Sequence, residues 1–246
     1  MKVNQHEDSS YGNLVAAIAR LFLHKPYKTG ILEQPGRERL MVNLSAFDCT
    51  TFVETVLALA RCADQGKISS HAFRKQLKSI RYRQGIINGY SSRLHYFSDW
   101  LHDNEKKKFV MDLSKNFGGK PHRKKIHFMT AHQASYPALK NKTQSDRIMA
   151  IEKNLSRRVL HIVDKDTVNK QAAKIKNGDI IAFATKQEGL DVAHVGFAVR
   201  EGKSLRLLHA SKKEGGVVIS KKTVVSYLKS NKNFTGIIIA ESMGSF

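Results

Sequence analysis

The spacing of apolar residues along this chain changes once, from a helical repeat in the first two-thirds to strand-like runs after Gly178. Leu14, Ile18, Leu21 and Phe22 predict a first amphipathic helix ending near His24. The segment from Lys25 to Gly36 is irregular, with Gly30, Pro35 and Gly36 as breakers. A second helix runs from Cys49 to about Ala63, with Phe52, Val53, Val56, Leu57 and Ala60 on its buried face and Asp48 as its cap. Phe73, Leu77 and Ile80 mark a third, capped by Ser69 or Ser70, and Ile148, Ile151 and Leu155 mark a further short one.

Two stretches lack a period. Asn88 to Tyr96 is polar and aromatic, followed by Phe97 and Trp100, which read as core. Residues from about 103 to 141 are lysine-rich and contain Gly118-Gly119, which suggests an exposed basic insertion. Beyond Gly178 the strand candidates are Asp179 to Phe183, Val195 to Val199, Ser204 to Leu208, Val217 to Ile219 and Ile237 to Ile239. Glu201-Gly202-Lys203 is a natural tight connection between the second and third. Helices first and antiparallel strands afterwards indicate an α+β domain. No repeat or linker divides the chain, so residues 1–246 read as a single domain.

Hydrophobic content of 41% with this periodicity indicates a globular chain of 246 residues, long enough for a substantial core. No apolar stretch approaches the roughly 20 residues needed to cross a bilayer. Met1 to Asp8 lack an apolar leader region, leaving either a cytosolic protein or one numbered after a removed leader. The formal charge of +21 favours an anionic partner, such as wall polymer, lipid head groups or nucleic acid. The lysines and arginines are spread widely, however, with the densest cluster at Lys120 to Lys125. No zinc-finger, RNA-recognition or helix-turn-helix pattern marks a nucleic-acid site, and a solvated basic surface that aids solubility accounts for the charge better than a dedicated nucleic-acid site does.

Three residues carry candidate chemistry. Cys49 opens an apolar helix after a polar turn, where backbone N–H groups favour a thiolate and an adjacent imidazolium favours it further. His194 leads one strand and His209 closes the next across a short hairpin, so the two rings can lie side by side. A thiol at a helix start with imidazoles on a later sheet is how papain-like hydrolases pair a nucleophile with its base. Each residue also has a plain alternative: a small buried hydrophobe for Cys49, a satisfied core or strand-end histidine for the others. Cys49 and Cys62 lie about 20 Å apart on one helix, too far for a disulfide. No dense His/Cys/Asp cluster has metal-ligand spacing, and no cofactor or metal is expected.

The ordered segments Asp48-Cys49-Thr50-Thr51-Phe52-Val53, Gly178 to Phe183, His194 to Val199 and Leu208-His209-Ala210-Ser211 resemble the motifs of NlpC-type cell-wall cysteine peptidases. Thr50-Thr51 replaces the usual Ser-Gly, and a long segment separates cysteine from histidine. With Phe47 to Glu54, Gly89 to Tyr96, Phe128-Met129 and Gly189 to Gly196, the chain resembles the N-acetylmuramoyl-L-alanine amidase-like branch over most of its length. The resemblance implies a papain-like fold, a Cys49–His194–His209 triad and cleavage of the bond between the lactyl group of N-acetylmuramic acid and L-alanine, with a preference for small anhydro-muropeptides. It also implies a cell-envelope, periplasmic or secreted location and a peptidoglycan or muropeptide substrate. A monomer is expected. Tyr90, Arg93, His95 and Tyr96 are candidate substrate contacts, an arginine fork for carboxylates and aromatic faces for sugars. Alternatively they form a structural loop, with Tyr96 in the core and Arg93 in a salt bridge. Glu54, one turn past the nucleophile, reads as a solvated or capping carboxylate. The competing functions are a γ-D-glutamyl-L-diamino acid endopeptidase with the same machinery, and a non-catalytic basic module on an anionic polymer.

Overall fold

The computed structural model describes residues 11–245, and the leaderless start read at Met1 to Asp8 lies outside them. The chain is α+β, as its apolar spacing indicates. Helices α1 (Tyr11–Arg20), α2 (Cys49–Asp64), α3 (Ser70–Arg81) and α4 (Phe97–Lys106) come first. Short strands β1 (Val110–Asp112) and β2 (Lys120–His122), helices α5 (Phe128–Ala131) and α6 (Lys142–Leu155), strand β3 (Leu160–Asp164) and helix α7 (Val168–Gln171) follow. The last third holds β4 (Ile180–Thr185), β5 (Val192–Glu201), β6 (Ser204–Ser211), β7 (Gly216–Thr223), α8 (Val224–Ser230) and β8 (Phe234–Ser242).

The strands form one antiparallel sheet in the order β2-β3-β8-β4-β5-β6-β7, with β1 also on β8. Period-two alternation sorts its side chains onto two cores. Ile180, Ala182, Val195, Phe197 and Leu208 face α1 to α4, whereas Ile181, Phe183, Ala198, Leu207 and Ile239 face α7 and α8. A third apolar cluster, holding Tyr90, Tyr96, Met129, Ile148 and Leu155, fastens α5 and α6 to the loop before α4.

Helix α2 is buried almost all round, from Thr51 to Ala58. Its start is fixed by a capping box: Asp48 accepts from the Thr51 backbone at 2.7 Å, and the Thr51 hydroxyl accepts from the Asp48 backbone at 3.0 Å. Ser69, not Ser70, caps α3. Helix α1 stops at Arg20, four residues short of the expected end, which leaves Leu21 exposed while Phe22 turns inward.

Two expectations need correction. Glu54 is 1% exposed and bonds Arg81 at 2.6 Å, so it is half of a buried ion pair and not a solvated or capping carboxylate. Nor is the lysine-rich stretch of 103–141 an exposed excursion throughout. Val110, Phe117, Ile126, Met129 and Leu139 are buried, β1 pairs with β8 and β2 pairs with β3, so only stretches such as Lys120 to Arg123 stand out in solvent. Both cysteines are free thiols. Among the described residues no helix is long and apolar enough to cross a membrane.

Candidate active site

Cys49 is the first residue of α2, where its N–H and that of Thr50 have no carbonyl one turn back to bond. It shares a narrow cavity of about 80 Å³ with His194, walled by Leu94, Phe97, Trp100 and Val192. The Val195 backbone hydrogen-bonds the sulfur, tying the thiol to the strand position next to His194.

A bulge precedes His194. Phe183 pairs with His194 but Ala184 pairs with Val192, leaving Ala193 as an extra residue. Val192 and Val195 therefore both pack on the α2 side, and His194 turns to the other face beside Phe183, with ring centroids 6.1 Å apart. His209 takes the same face because Leu208 and Ala210 face α2. The rings meet with His194 Nε2 2.6 Å from His209 Nδ1. Gly196 makes this arrangement possible: a Cβ there would lie 2.8 Å from the His209 Cβ and 2.8 Å from the Leu208 carbonyl oxygen.

Burial dominates the electrostatics. The residue Cys49 is partly exposed, but its sulfur is enclosed, and burial followed by the Asp48 charge pushes the thiol up to about 11. Bonding from the Val195 backbone and from Thr50 offsets this only in part. His194 is held down to about 3 by burial and then by its partner imidazole; His209, fully buried, is held down to about 4 by burial. Burial thus favours a neutral thiol at Cys49 and a neutral imidazole at His194, two residues that line one cavity.

A second cavity, about 180 Å³, adjoins the first through Thr50, Leu94, His95, Tyr96 and Leu190. His95 and Tyr96 thus line both, while Arg93 lines the second only. Tyr90 lines neither and faces a larger groove of about 790 Å³ beyond Gln34 and Pro137, away from Cys49. Each of the four residues has a polar side-chain atom engaged within the protein. Arg93 pairs with Glu33 at 2.7 Å and Glu38 at 3.5 Å, the Tyr90 hydroxyl donates to Glu33, His95 Nε2 bonds the Tyr90 carbonyl, and the Tyr96 hydroxyl donates to Glu152 at 2.6 Å. Desolvation holds His95 well below its ordinary value, so this ring is neutral.

Sequence reasoning missed the residues behind this wall, Glu33, Glu38 and Glu152, and also Tyr227 of α8 behind the imidazoles. Glu152 carried a signal, since it falls between Ile148 and Leu155 on the apolar face of α6. Among the described residues no group of three or more His, Cys, Asp or Glu side chains could hold a metal ion.

The N-acetylmuramoyl-L-alanine amidase-like family model matches residues 17–237, nearly the whole described chain. The chain belongs to this AmiA-like family. Among solved structures it is similar to an N-acetylmuramoyl-L-alanine amidase from Bacteroides uniformis, at 36% identity and TM-score 0.88 over 95% of this chain and 99% of that one. A Bacteroides fragilis protein described provisionally as a xylanase is 39% identical with TM-score 0.87, covering 92% of this chain and 99% of its own. A Legionella pneumophila protein at 21% identity and TM-score 0.73, covering 97% of this chain and 91% of its own, shares the fold. No curated protein matches the sequence significantly.

Proposed function

We propose that this member of the amidase-like family is a cysteine-dependent N-acetylmuramoyl-L-alanine amidase with a papain-like, NlpC-type core, acting on peptidoglycan fragments in the cell envelope. The observation that carries the reading is the 2.6 Å bond between His194 and His209, beside the cavity that His194 shares with Cys49. It leaves one imidazole nitrogen, His194 Nδ1, for a proton from sulfur.

In this mechanism the Cys49 thiol gives its proton to His194 Nδ1 as Sγ bonds the lactyl carbonyl carbon. The first-turn N–H of Cys49 stabilises the oxyanion. His194 then protonates the alanine nitrogen as the C–N bond breaks, leaving a thioester. Water loses a proton to His194 and attacks the thioester; the C–S bond breaks and sulfur takes the proton back. A neutral resting pair suits this sequence, because charge separation develops only as the substrate carbonyl arrives. His95 and Tyr96 border the reacting bond, while Arg93 and Tyr90 shape the wall beyond it. A narrow cavity beside the sulfur suits compact substrates such as anhydro-muropeptides.

The test is mass spectrometry of monomeric anhydro-muropeptide incubated with wild type and Cys49→Ala. The reading requires an intact stem peptide beginning with L-alanine from the wild type, and loss of at least about a thousandfold in rate from the variant. A product set in which L-alanine stays on the sugar would assign the γ-D-glutamyl endopeptidase activity instead. Activity that survives in Cys49→Ala would remove the cysteine mechanism.

A further inference from the structure

Antiparallel pairing gathers particular chain ends around the histidines. His194, near the start of β5, pairs with Phe183 near the end of β4, and His209 lies close to the end of β6. Strand β4 ends opposite the start of β8, through Thr185 and Phe234, and β6 ends opposite the start of β7, through Ser211 and Gly216. The connections at this catalytic end all carry lysine: Lys186 between β4 and β5, Lys212 and Lys213 between β6 and β7, and Lys232 between α8 and β8. Lys28 joins them. The Tyr27 N–H donates to the Gly215 carbonyl at 2.8 Å, and the Lys28 N–H donates at 2.9 Å to the carbonyl of Phe47, close before Cys49.

These five lysines are exposed, and none of them is in an ion pair among the described residues, unlike Lys107, Lys120 and Lys176. Like charge is crowded here. The Lys165 ammonium, which donates at 2.7 Å to the Asn231 carbonyl beside Lys232, is held down by burial and then by the Lys186 charge, with Asp166 opposing. The carboxylates of the same connections do not neutralise the rim. Asp191 is buried and turned to the Ser98 and Val192 N–H groups, Glu188 approaches His127 at 3.4 Å, and Glu214 stands against both Lys212 and Lys213.

The substrate of the proposed reaction has its charge at one end. Its lactyl carboxyl is consumed in the scissile amide, so the sugar is neutral. The stem peptide, joined through the γ-carboxyl of D-glutamate, keeps an α-carboxylate there and another at its own carboxyl terminus. Unpaired ammonium groups around a cleft raise the local concentration of such an anion and its rate of capture, over a range of about 10 Å at 0.1 M salt.

We propose that the lysine rim at the catalytic end of the sheet receives the stem-peptide carboxylates, so that this enzyme selects soluble muropeptides with free carboxylates over the same fragments with those groups amidated. The inference rests on the amidase reading and narrows its substrate class.

The experiment compares wild type with two triple variants of equal charge change. Lys186→Gln, Lys212→Gln and Lys232→Gln strip the rim; Lys174→Gln, Lys203→Gln and Lys222→Gln strip the opposite end of the sheet, where the lysines are also exposed. Exposed lysines of this kind can be replaced without unfolding the chain. The value of kcat/KM is measured on monomeric anhydro-muropeptide with free carboxylates and on its amidated counterpart, in about 10 mM and about 1 M salt. On the free-carboxylate fragment in low salt the rim variant should lose about tenfold, mostly through KM, and the distal variant less than about twofold. On the amidated fragment the rim variant should lose less than about twofold, and high salt should bring wild type and rim variant together. Equal losses in the two triple variants, or an equal loss on the two fragments, overturn the proposal, as does a rim variant that matches wild type in low salt. No turnover of either fragment by wild type would instead refute the amidase reading. Calorimetric binding of the free-carboxylate fragment to wild-type and rim-stripped protein in low salt then decides the rim by the same difference of about tenfold.

Discussion

The two walls of the cleft are built by different physics. The strand wall, which carries His194 and His209, is set by apolar alternation, one bulge at Ala193 and one glycine at 196. The loop wall, which carries Arg93 to Tyr96, is set by buried charge and hydroxyl bonds: Glu54 with Arg81, Arg93 with Glu33 and Glu38, Tyr82 with Glu38, and Tyr96 with Glu152. Burial on the first wall is satisfied by almost any aliphatic residue of fitting size, whereas each member of the second depends on specific partners far away in the chain. Damage should therefore unfold the loop wall and misalign the strand wall.

The sharpest test of that contrast is Arg81→Ala. It leaves Glu54 buried without its cation and also removes the bond from Arg81 to the Met41 carbonyl. A loss of about 3–5 kcal/mol in urea unfolding is expected. The double variant Glu54→Leu with Arg81→Met should recover much of it, since a buried pair replaced by matched apolar groups costs little. No recovery would break the comparison.

On the strand wall, Gly196→Ala should do the reverse. The added methyl must displace His209 or the β6 backbone, so kcat should fall about a hundredfold with a loss of stability below about 3 kcal/mol. Global unfolding of this variant, read by circular dichroism, would count against a purely positional role for the glycine.

Next in size is Tyr96→Phe. The lost hydroxyl donates to Glu152 and accepts from the Met129 backbone, both buried, which predicts a loss of about 1–3 kcal/mol in the same unfolding assay. KM should rise more than kcat falls, because the cleft wall loosens while Cys49, His194 and His209 stay in place.

The smallest effect is a pH profile. With its thiol raised by burial to about 11, Cys49 in the free protein should react with iodoacetamide more slowly at pH 7 than an ordinary cysteine. The rate should climb about tenfold per pH unit to beyond pH 9. A plateau already reached near neutrality would mean a thiolate–imidazolium resting pair and would contradict the burial argument.

The strand wall was readable in the sequence because its signals are local. Val195 to Val199, Glu201-Gly202-Lys203 and Ser204 to Leu208 alternate and turn as β5 and β6 do, and the hairpin register puts His194 and His209 on one face within diagonal reach of each other. The loop wall was not readable, because its determinants lie far apart in the chain: Arg93 meets Glu33 across 60 positions and Tyr96 meets Glu152 across 56. Glu54 shows the same limit; nothing near it announces Arg81. Strand β3 was missed because it is short and His161 breaks up its apolar run, and α8 because Val224-Val225 continues the β-branched character of β7. The enclosure of Cys49 was not readable for another reason. A helix start can be seen in sequence, but how much protein closes over the sulfur cannot.

The free margins of the sheet have a consequence for crowding. One margin, β2, is three residues long, with Pro121 lacking an N–H to offer and a lysine beside it. At the other, β7, the Lys25 to Tyr27 segment covers the first residues, the Arg206 guanidinium occupies the carbonyls of Ser220 and Lys221, and Lys221 and Lys222 stand in solvent. Two copies approaching rim to rim would meet mutual repulsion and too few open donors to zip together, so the ladder ends within one chain and does not grow into a fibre.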